Sequence, residues 1–309
     1  MIAKNLILLV FVLFALNCFG QQGEQENLKI LTWNVQMLPR LGAVFSSSCR
    51  KLQNKRTEWI ADYLRQTDYD VIVLEEVFDK RFRVAIMAEL KSSFPYQLEP
   101  YKASLFKLSN GVMIFSKYPF QLVSQHTFKS AVAADVFATK GAAMIKIKHE
   151  SVNYYIIGTH LQADYPFKNN CKVRKKQLQE IKKELIDAYV LEDDVLVIAG
   201  DLNVPDSTPE YTEMLNILNV SDVVASTNCS NFTTFTPLNF WNRQTSESLK
   251  LDYILVASKK NQYQTTEPHI NVITKSYNGQ FVDLADHHGF GVRLKTSKAF
   301  DNKVVSIMP

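Results

Sequence analysis

The chain has 309 residues, of which 46% are hydrophobic, and its 35 basic and 31 acidic side chains leave a formal net charge of +4. This length and apolar content are sufficient for one large folded domain with a substantial core. Residues 1–20 contain a single charge, Lys4, so their removal would leave 34 basic side chains against 31 acidic ones. A balance this even gives no support to nucleic acid as a partner.

The N-terminal segment has the pattern of a secretory signal peptide. Lys4 precedes an apolar run from Leu6 to Leu16, and small residues follow that run. The run is shorter than the ~20 apolar residues that a membrane-spanning helix needs. We therefore expect residues 1–20 to be a cleaved signal, residues 21–309 to form a single domain, and the protein to be secreted.

Short apolar runs, rich in β-branched and aliphatic residues, recur along the rest of the chain. Runs of this length and composition are typical of strands that are buried on both faces in a layered fold. The predicted strands are Leu28–Val35, Asp70–Val77, Gly111–Ser116, Ala142–Ile147, Tyr154–Leu161, Asp194–Gly200, Leu251–Ala257 and Gly289–Leu294.

Two stretches predict amphipathic helices, which makes the chain an α/β protein. The first covers Leu52–Gln66, and its predicted apolar side consists of Leu52, Trp59, Ile60, Tyr63 and Leu64. The second covers Lys172–Val190, with an apolar stripe of Val173, Leu178, Ile181, Leu185, Ile186 and Tyr189. The basic cluster KVRKK at residues 172–176 is interpreted as a solvated helix face.

Polar side chains interrupt or end these predicted strands. They are Asn34, Glu76, His160, Asp201, Asn203 and Asp252, while Asp286 and His287 directly precede the last strand. The strand ends of a rigid α/β core commonly display catalytic groups. A structural hydrogen bond would explain any one of these residues, but their repeated placement indicates a functional site.

The donor types in this set favour a hard metal ion. Carboxylate and amide oxygens suit Mg²⁺, Mn²⁺ or Ca²⁺ better than Zn²⁺. The sequence has no CxxC pair and no HExxH, so zinc has no support, and it lacks the Gly-rich phosphate loop and GxSxG. A histidine oriented by a buried carboxylate is an effective base near neutral pH, and we expect His287 and Asp252 to form that pair.

Seven segments carry a family resemblance in their order along the chain. They are ILTWNVQML, LEEVFD, NGVMIFSK, IIGTHLQAD, IAGDLNV, LDYIL and ADHH. Over residues 28–295 the chain resembles the DNase-like endonuclease/exonuclease/phosphatase superfamily and, within it, the bacterial-type neutral sphingomyelinases. GDLN, LDYI and the final DH are shared across the superfamily. EVFD, THLQA and DVFATKG resemble the sphingomyelinase branch more specifically.

This resemblance implies a fold and an activity. The implied fold is a four-layer α/β/β/α arrangement, a two-sheet sandwich flanked by helices. The implied activity is that of a Mg²⁺-dependent phosphodiesterase, with Mn²⁺ as a substitute, which hydrolyses sphingomyelin to ceramide and phosphocholine by direct attack of water. Such a protein would be a monomer that acts peripherally at a membrane surface, and no nucleic acid partner is expected.

The resemblance also implies roles at the metal and at the phosphoryl group. Glu76 would be the principal Mg²⁺ ligand, assisted by Asn34 and by Asp286. His160 and Asn203 would hydrogen-bond the phosphoryl oxygens and stabilise the charge that develops in the transition state.

Further residues would complete the implied site. Asp201 would lie between the phosphoryl group and the attacking water, and either His287 or Asp201 would be the general base. Asp135 and Lys140 would pair near the site, where they would position a loop or a phosphate. Phe78 would shape the lipid or choline end of the pocket.

The segment TKSYNGQFVDLADHH at residues 274–288 departs from the secreted sphingomyelinases, which commonly carry a longer hairpin with adjacent aromatic residues. Here Tyr277 and Phe281 flank an Asn-Gly turn, and we expect both to contact the membrane. A secreted endonuclease or a phospholipase C of the same superfamily is the alternative function. The sequence leaves open the lipid head group, the disulfide among Cys49, Cys171 and Cys229, and glycosylation at the Asn219, Asn228 and Asn231 sequons.

Overall fold

The computed structural model of the chain describes residues 26–39, 52–102, 106–149, 152–165, 168–224, 232–258 and 262–297. The predicted signal peptide at residues 1–20, Cys49, Cys229 and the sequon residues Asn228 and Asn231 lie outside these ranges. Cys171 has a free, partly buried thiol.

Two six-stranded sheets form the centre of the molecule. The first contains β1 (Glu26–Met37), β2 (Val71–Val77), β3 (Tyr96–Leu98), β4 (Met113–Ser116), β11 (Gln262–Asn271) and β14 (Gly289–Ser297). Its strand order is β11-β14-β1-β2-β4-β3. Only β1 and β2 run parallel in this sheet, and the other neighbours are antiparallel.

The second sheet repeats this plan. It contains β5 (Phe120–Thr127), β6 (Gly141–His149), β7 (Val152–His160), β8 (Val195–Asp201), β9 (Ser221–Asp222) and β10 (Asp252–Ser258). Its order is β5-β6-β7-β8-β10-β9, with β7 and β8 as the parallel pair. A separate hairpin consists of β12 (Thr274–Tyr277) and β13 (Gln280–Asp283).

Helices cover the outer face of each sheet. On the first sheet lie α1 (Gln53–Gln66) and α2 (Lys80–Glu89), and on the second lie α3 (Cys171–Ile181) and α4 (Pro209–Leu218). The helix α3 continues through a π-helical turn, Lys182–Ile186, into a last α-turn, Asp187–Tyr189. Among the described helices none is both long and apolar enough to cross a membrane. The predicted four-layer α/β/β/α architecture is confirmed.

The layer between the sheets consists of alternate strand residues. In β1 they are Leu28 and Ile30, and in β8 they are Val195, Val197 and Ala199. The intervening residues of each strand face the helices, because successive side chains of a strand point to opposite faces. Both faces of the central strands are therefore apolar, which is why these strands are near-continuous hydrophobic runs in the sequence.

All eight predicted strands and both predicted helices occur, but several elements lacked a sequence signal. The strands β5 and β11 lie at sheet edges, and none of their side chains that the structure describes is buried. The helices α2 and α4 each bury only two side chains. Short or half-exposed elements have no long apolar pattern, so periodicity does not reveal them.

The predicted apolar side of the first helix is confirmed, since the partly buried Trp59 and Tyr63 pack against the core that contains Ile60 and Leu64. On the second helix Tyr189 is exposed, which is a correction to the predicted stripe. The interpretation of KVRKK as a solvated face is right for its three lysines but wrong for Arg174, whose side chain is fully buried.

Arg174 ties α3 to two neighbouring segments. Its guanidinium forms paired contacts with Glu210 at the start of α4, both at 2.7 Å. It also donates to Asp164 and to the carbonyl oxygen of Gln162 in the segment after β7. That segment directly follows His160, the last residue of β7 and a predicted site residue. Arg174 therefore fixes the position of the chain where it leaves β7.

We expect Arg174→Met to destabilise the protein by about 3–5 kcal/mol, because it leaves the carboxylate of Glu210 without its charge partner. The matched control is Lys175→Met, which removes an exposed pair with Glu213 and should cost at most about 1 kcal/mol. The measurement is the free energy of unfolding from urea titrations of both variants. Similar small losses would contradict the importance of the Arg174 contacts.

Candidate active site

The site is the polar end of the layer between the two sheets. In β8 the inward positions Val197 and Ala199 are followed two residues later by Asp201, and in β7 Ile156 leads in the same way to His160. Asp252 begins β10 at the same end, since it pairs with Asp201 across the antiparallel register. The alternation that builds the core therefore also points these polar side chains into one cleft.

One oxygen of Asp201 lies at the centre of this cluster. Its Oδ2 atom accepts a hydrogen bond from Nδ2 of Asn34 at 3.0 Å. The same oxygen lies 3.5 Å from Nε2 of His160 and 3.9 Å from Nε2 of His287. The preceding residue has to be Gly200 (φ +154°), because a Cβ atom there would collide with the carbonyl oxygen of Thr159. Burial raises the pKa of Asp201 to about 6, and the charge of Asp252 adds to that effect.

The predicted pair of His287 and Asp252 is present in the structure. Nδ1 of His287 lies 2.7 Å from Oδ2 of Asp252, and both side chains are buried. The indole N–H of Trp33 donates to the carbonyl oxygen of His287, and the ring of Phe235 packs against the imidazole. Burial opposes a charge on His287, but Asp252, Asp201 and Asp286 outweigh it and raise its pKa well above the ordinary value.

His160 has the opposite electrostatic character. Burial, together with the positive charges of Lys140 and His287, holds the pKa of His160 well below its ordinary value. Its Nδ1 atom is buried without a hydrogen-bond partner. A buried N–H without an acceptor would be costly, so we assign the proton of the neutral ring to Nε2, the nitrogen that faces Asp201.

Two further acids lie on the other side of Asn34. Glu76 is the next-to-last residue of β2 and has a positive φ of 56°, an uncommon conformation for a residue with a side chain. Burial, followed by the charge of Asp286, raises the pKa of Glu76 to about 7. Gln36 donates to Oδ2 of Asp286 at 2.5 Å, while Oδ1 of Asp286 is buried without a partner.

A backbone carbonyl organises the next part of the site. Leu161 O accepts from Nζ of Lys140 at 2.6 Å and from Nδ2 of Asn203 at 3.3 Å. Lys140 also pairs with Asp135 at 3.3 Å, and it is buried close enough to lower the pKa of Glu76. The expected pair of Asp135 and Lys140 is therefore formed, with the lysine on the site side.

Phe78 lies at the edge of the cluster. Its ring packs on Gly111 (φ +72°), where a Cβ atom would come within 2.8 Å of the ring. It also lines a mostly apolar cavity of about 640 Å³, together with Pro39, Asp79, Lys80, Arg81, Val84 and Ala85. Phe78 is therefore beside the acids rather than among them.

The hairpin before Asp286 has the predicted Asn-Gly turn, but its two aromatic residues differ. Tyr277 opposes Gln280 while Phe281 opposes Ser276, so their side chains leave opposite faces of the hairpin. Tyr277 packs edge-on against Trp59 and beneath Lys55 of α1. Phe281 is 73% exposed. Of the two aromatic residues expected at the exposed tip of the hairpin, only Phe281 is exposed, and Tyr277 instead packs against α1.

Two residues of the cluster were not singled out from the sequence. Glu75 lies one position before Glu76, and it accepts a hydrogen bond of 2.7 Å from Thr32. Burial, followed by Asp252, raises its pKa well above the ordinary value. Strand alternation was the available signal, because Val71 and Val73 face the other sheet and Glu75 continues that series. Gln36 lies within the ILTWNVQML segment and had no signal of its own.

His288 is buried, and its Nδ1 atom lies 3.8 Å from Asp283. It lines a groove together with Phe281.

Most of the predicted site residues therefore meet. The structure brings together Asn34, Glu76, Lys140, His160, Asp201, Asn203, Asp252, Asp286 and His287. Asp135 and Phe78 lie around this group. The side chains of Asp201, Asp252 and His287 offer ligand atoms within 4.8 Å of one another and could hold a metal ion.

Two stacked sheets with a carboxylate and histidine cluster at one end define a DNase-like protein. SmcL matches the fold with a TM-score of 0.72 and 28% identity, over 87% of this chain and 99% of that one. A variant of beta toxin from Staphylococcus aureus with bound magnesium ions matches with a TM-score of 0.70 and 26% identity, over 86% and 99%. Residues 31–264 match the Endonuclease/Exonuclease/phosphatase family, and the chain belongs to it.

Two relatives found by sequence similarity are named as sphingomyelinases. Sphingomyelinase C of Listeria ivanovii is 29% identical over 293 residues, which cover 82% of this chain and 79% of the relative. Sphingomyelinase C of Leptospira interrogans is 34% identical over 216 residues, or 64% of this chain. The matched region spans only 38% of that longer relative.

We expect the two site histidines to titrate in opposite directions from the usual value of 6.5. In metal-free protein, imidazole NMR shifts should show His160 neutral at pH 6 and His287 charged at pH 7. The charge on His287 stabilises the fold below pH 6.5, and this contribution is lost as the pH rises through the folded-state pKa.

Asp252→Asn should lower the titration midpoint of His287, because it removes the largest of the negative charges that favour its proton. Asp62→Asn, on the surface of α1, is the control and should leave the midpoint unchanged. A wild-type midpoint at or below 6.5 for His287 would contradict the electrostatic assignment.

Proposed function

We propose that this protein is a secreted Mg²⁺-dependent sphingomyelin phosphodiesterase that releases phosphocholine and leaves ceramide. The observation that carries the proposal is the pair of His287 and Asp252 beside Asp201 and His160, next to the acids Glu76 and Asp286. The sphingomyelinase names of its relatives support the choice of substrate. Secretion, with residues 1–20 removed and residues 21–309 as the catalytic domain, belongs to the same proposal.

The acidic side of the site fits a hard divalent ion. The donors available there are oxygen atoms of Glu76, Asp286 and Asn34, and Oδ1 of Asp286 is buried without a partner. Burial, followed by the charge of Asp286, raises the pKa of Glu76, and a bound cation would favour its charged form. We therefore assign these three residues as ligands of Mg²⁺, or of Mn²⁺ in its place. When bound, such an ion polarises a phosphoryl oxygen and stabilises its negative charge.

Asp201, Asp252 and His287 are better assigned to proton transfer than to metal binding. The short contact between Nδ1 of His287 and Oδ2 of Asp252 is the arrangement of a base with its orienting carboxylate. Nε2 remains directed into the cleft, where it can take a proton from the attacking water. Asp252 then holds the ring in the required tautomer, as an orienting carboxylate does for other catalytic histidines.

The remaining polar groups surround the phosphoryl position. His160, with its proton on Nε2, and Asn203 donate hydrogen bonds to the phosphoryl oxygens as charge develops on them. Asp201 orients the water through its Oδ2 atom. Water then attacks phosphorus, giving one proton to His287, and the phosphorus–oxygen bond to ceramide breaks. The departing alkoxide takes up a proton from solvent water, and His287 later releases its own to solvent.

The cavity beside Phe78 is suited to an apolar part of the substrate. It opens next to Glu76 along the chain, and its walls are largely apolar. Lys140, held by Asp135, carries positive charge toward the same cleft. A phospholipid bound between these regions would place its phosphate in the cleft with Lys140 and the histidines. Its apolar part would lie toward Phe78. Phe281 contributes a contact with the membrane beside the site.

The substrate is tested by one preparation in three assays with Mg²⁺. They measure release of phosphocholine from sphingomyelin, release of phosphocholine from phosphatidylcholine, and nicking of plasmid DNA. We expect sphingomyelin to be the preferred substrate, EDTA to abolish its hydrolysis, and Mg²⁺ or Mn²⁺ to restore it. Glu76→Gln should lose most activity, whereas the surface variant Glu89→Gln should retain it. Full activity in EDTA would refute the metal assignment, and preferential DNA nicking would identify an endonuclease.

The proton path is tested by substitution of its two residues. We expect His287→Ala to lower kcat by about 10²–10⁴-fold, because general-base catalysis typically contributes that much, with little change in KM. Asp252→Asn should lower kcat as well, since it misorients the imidazole. His149→Ala, at the far end of β6, is the matched control. Near-normal turnover by His287→Ala would transfer the base function to Asp201.

A further inference from the structure

Two phenylalanine side chains are exposed on separate loops beside the site. Phe106, in the connection from β3 to β4, is 98% exposed, and Phe137, at the end of the short 3₁₀ helix Ala133–Phe137, is 68% exposed. Neither residue contributes to the core or to the proposed chemistry. Large exposed aromatic side chains that lie close together commonly mark a contact surface.

The backbone joins the two loops. The N–H of Leu108 donates to the carbonyl oxygen of Phe137 at 2.8 Å, and the N–H of Thr139 donates to that of Leu108 at 3.0 Å. The hydroxyl of Thr139 makes a second bond to the Leu108 carbonyl at 2.7 Å. Phe106 and Phe137 therefore lie on two loops that are joined by hydrogen bonds. We call these two loops, with their phenylalanine side chains, the aromatic loop pair.

The aromatic loop pair is attached to the site at two points. Phe137 lies three residues before Lys140, and three extended residues span at most ~11 Å. Three residues after Leu108, the carbonyl oxygen of Gly111 accepts from the N–H of Val77, directly beside Glu76. The aromatic loop pair consequently borders the cleft.

Strand directions place this pair and the β12–β13 hairpin on two flanks of the same cleft. The strands β4 and β6 run antiparallel to β2 and β7, so they begin where β2 ends at Glu76 and Val77 and where β7 ends at His160. The strands β10 and β14 begin at that end too, next to Asp201 and β1. The hairpin with Phe281 leads into β14. Exposed rings thus border the site on the β4/β6 side and on the β10/β14 side.

We propose that the aromatic loop pair and Phe281 form a two-sided platform that contacts the surface of a phospholipid bilayer. This proposal rests on the lipid phosphodiesterase function proposed above. Aromatic rings suit the interfacial zone of a membrane, and the exposed Lys102 and Lys107 in the same connection add attraction to anionic lipid phosphates. Contact on both flanks would face the cleft toward the bilayer, which contact on one flank would not ensure.

The test compares binding and turnover in the double variant Phe106→Ser/Phe137→Ser. Association with vesicles of sphingomyelin and phosphatidylcholine is measured by sedimentation in EDTA, where turnover does not interfere. Hydrolysis with Mg²⁺ is measured on vesicles and on detergent micelles. We expect vesicle association to fall at least ~10-fold, because two rings no longer leave water, and the ratio of vesicle to micelle turnover to fall with it. Adding Phe281→Ser should lower association further.

The matched control is Tyr189→Ser/Leu191→Ser, a pair of exposed apolar residues that precede β8 at the end opposite the site. It should leave vesicle association unchanged. A second readout is Phe137→Trp, whose emission should be quenched by vesicles of brominated lipid.

Three results would overturn the platform: unchanged association in the double variant, equal loss on vesicles and micelles, or loss of self-association instead of lipid binding. A wild-type protein that binds vesicles but hydrolyses no sphingomyelin in micelles would refute the proposed function and leave the platform standing.

Discussion

The Oδ2 atom of Asp201 joins the two sheets of the sandwich. It lies within 4 Å of nitrogens from Asn34 of the first sheet, His160 of the second, and His287 in the segment before β14. A slip of one residue along a strand would move a partner by ~3.3 Å, beyond hydrogen-bond range. The site therefore depends on the packed apolar layer that holds the sheets in register, and its precision is a property of the core.

Electrostatics place a second constraint on the same cluster. Burial raises the pKa of Glu75, Glu76, Asp201 and Asp286, which crowd into one space. The buried carboxylate of Asp252 lies beside them. The surplus of negative charge is what keeps the proton on His287. In the proposed function His287 is a base that has to release that proton, so it would act near neutral pH only when the negative charge is compensated. The proposed divalent cation and the proposed unprotonated base are thus one electrostatic requirement.

The predictable and unpredictable parts of the structure differ in burial. Strands such as Val195–Asp201 have two buried faces, so they are predicted from an unbroken apolar run in the sequence. A polar residue at the end of such a run is then easily recognised as exceptional. Elements with one weak apolar face, such as Lys80–Glu89, carry no such signal. Asp201 and His287 could be found from motifs, whereas Gln36 contributes through a contact made only after folding.

The orientation of side chains explains the other misses. Arg174 belongs to a basic cluster, and its burial depends on the distant acids Asp164 and Glu210. Tyr277 leaves the opposite face of its hairpin from Phe281, which follows from register and not from their spacing around the turn. Local sequence patterns predict where a residue lies along a helix or strand. The burial and contacts of its side chain depend on residues that are distant in sequence, and these the local pattern does not reveal.

The strands also set the distance between the two ends of the molecule. β8 spans seven residues, from Val195 beside a far cavity to Asp201 in the cleft, a length of ~20 Å. That cavity is lined by Leu191 and by Asn219, the sequon residue with a left-handed backbone at the end of α4. A sugar chain on Asn219, or a linker to a solid support at Leu191, would project from the end opposite the cleft. Glycosylation or immobilisation at this end of the molecule would therefore leave the cleft at the other end accessible.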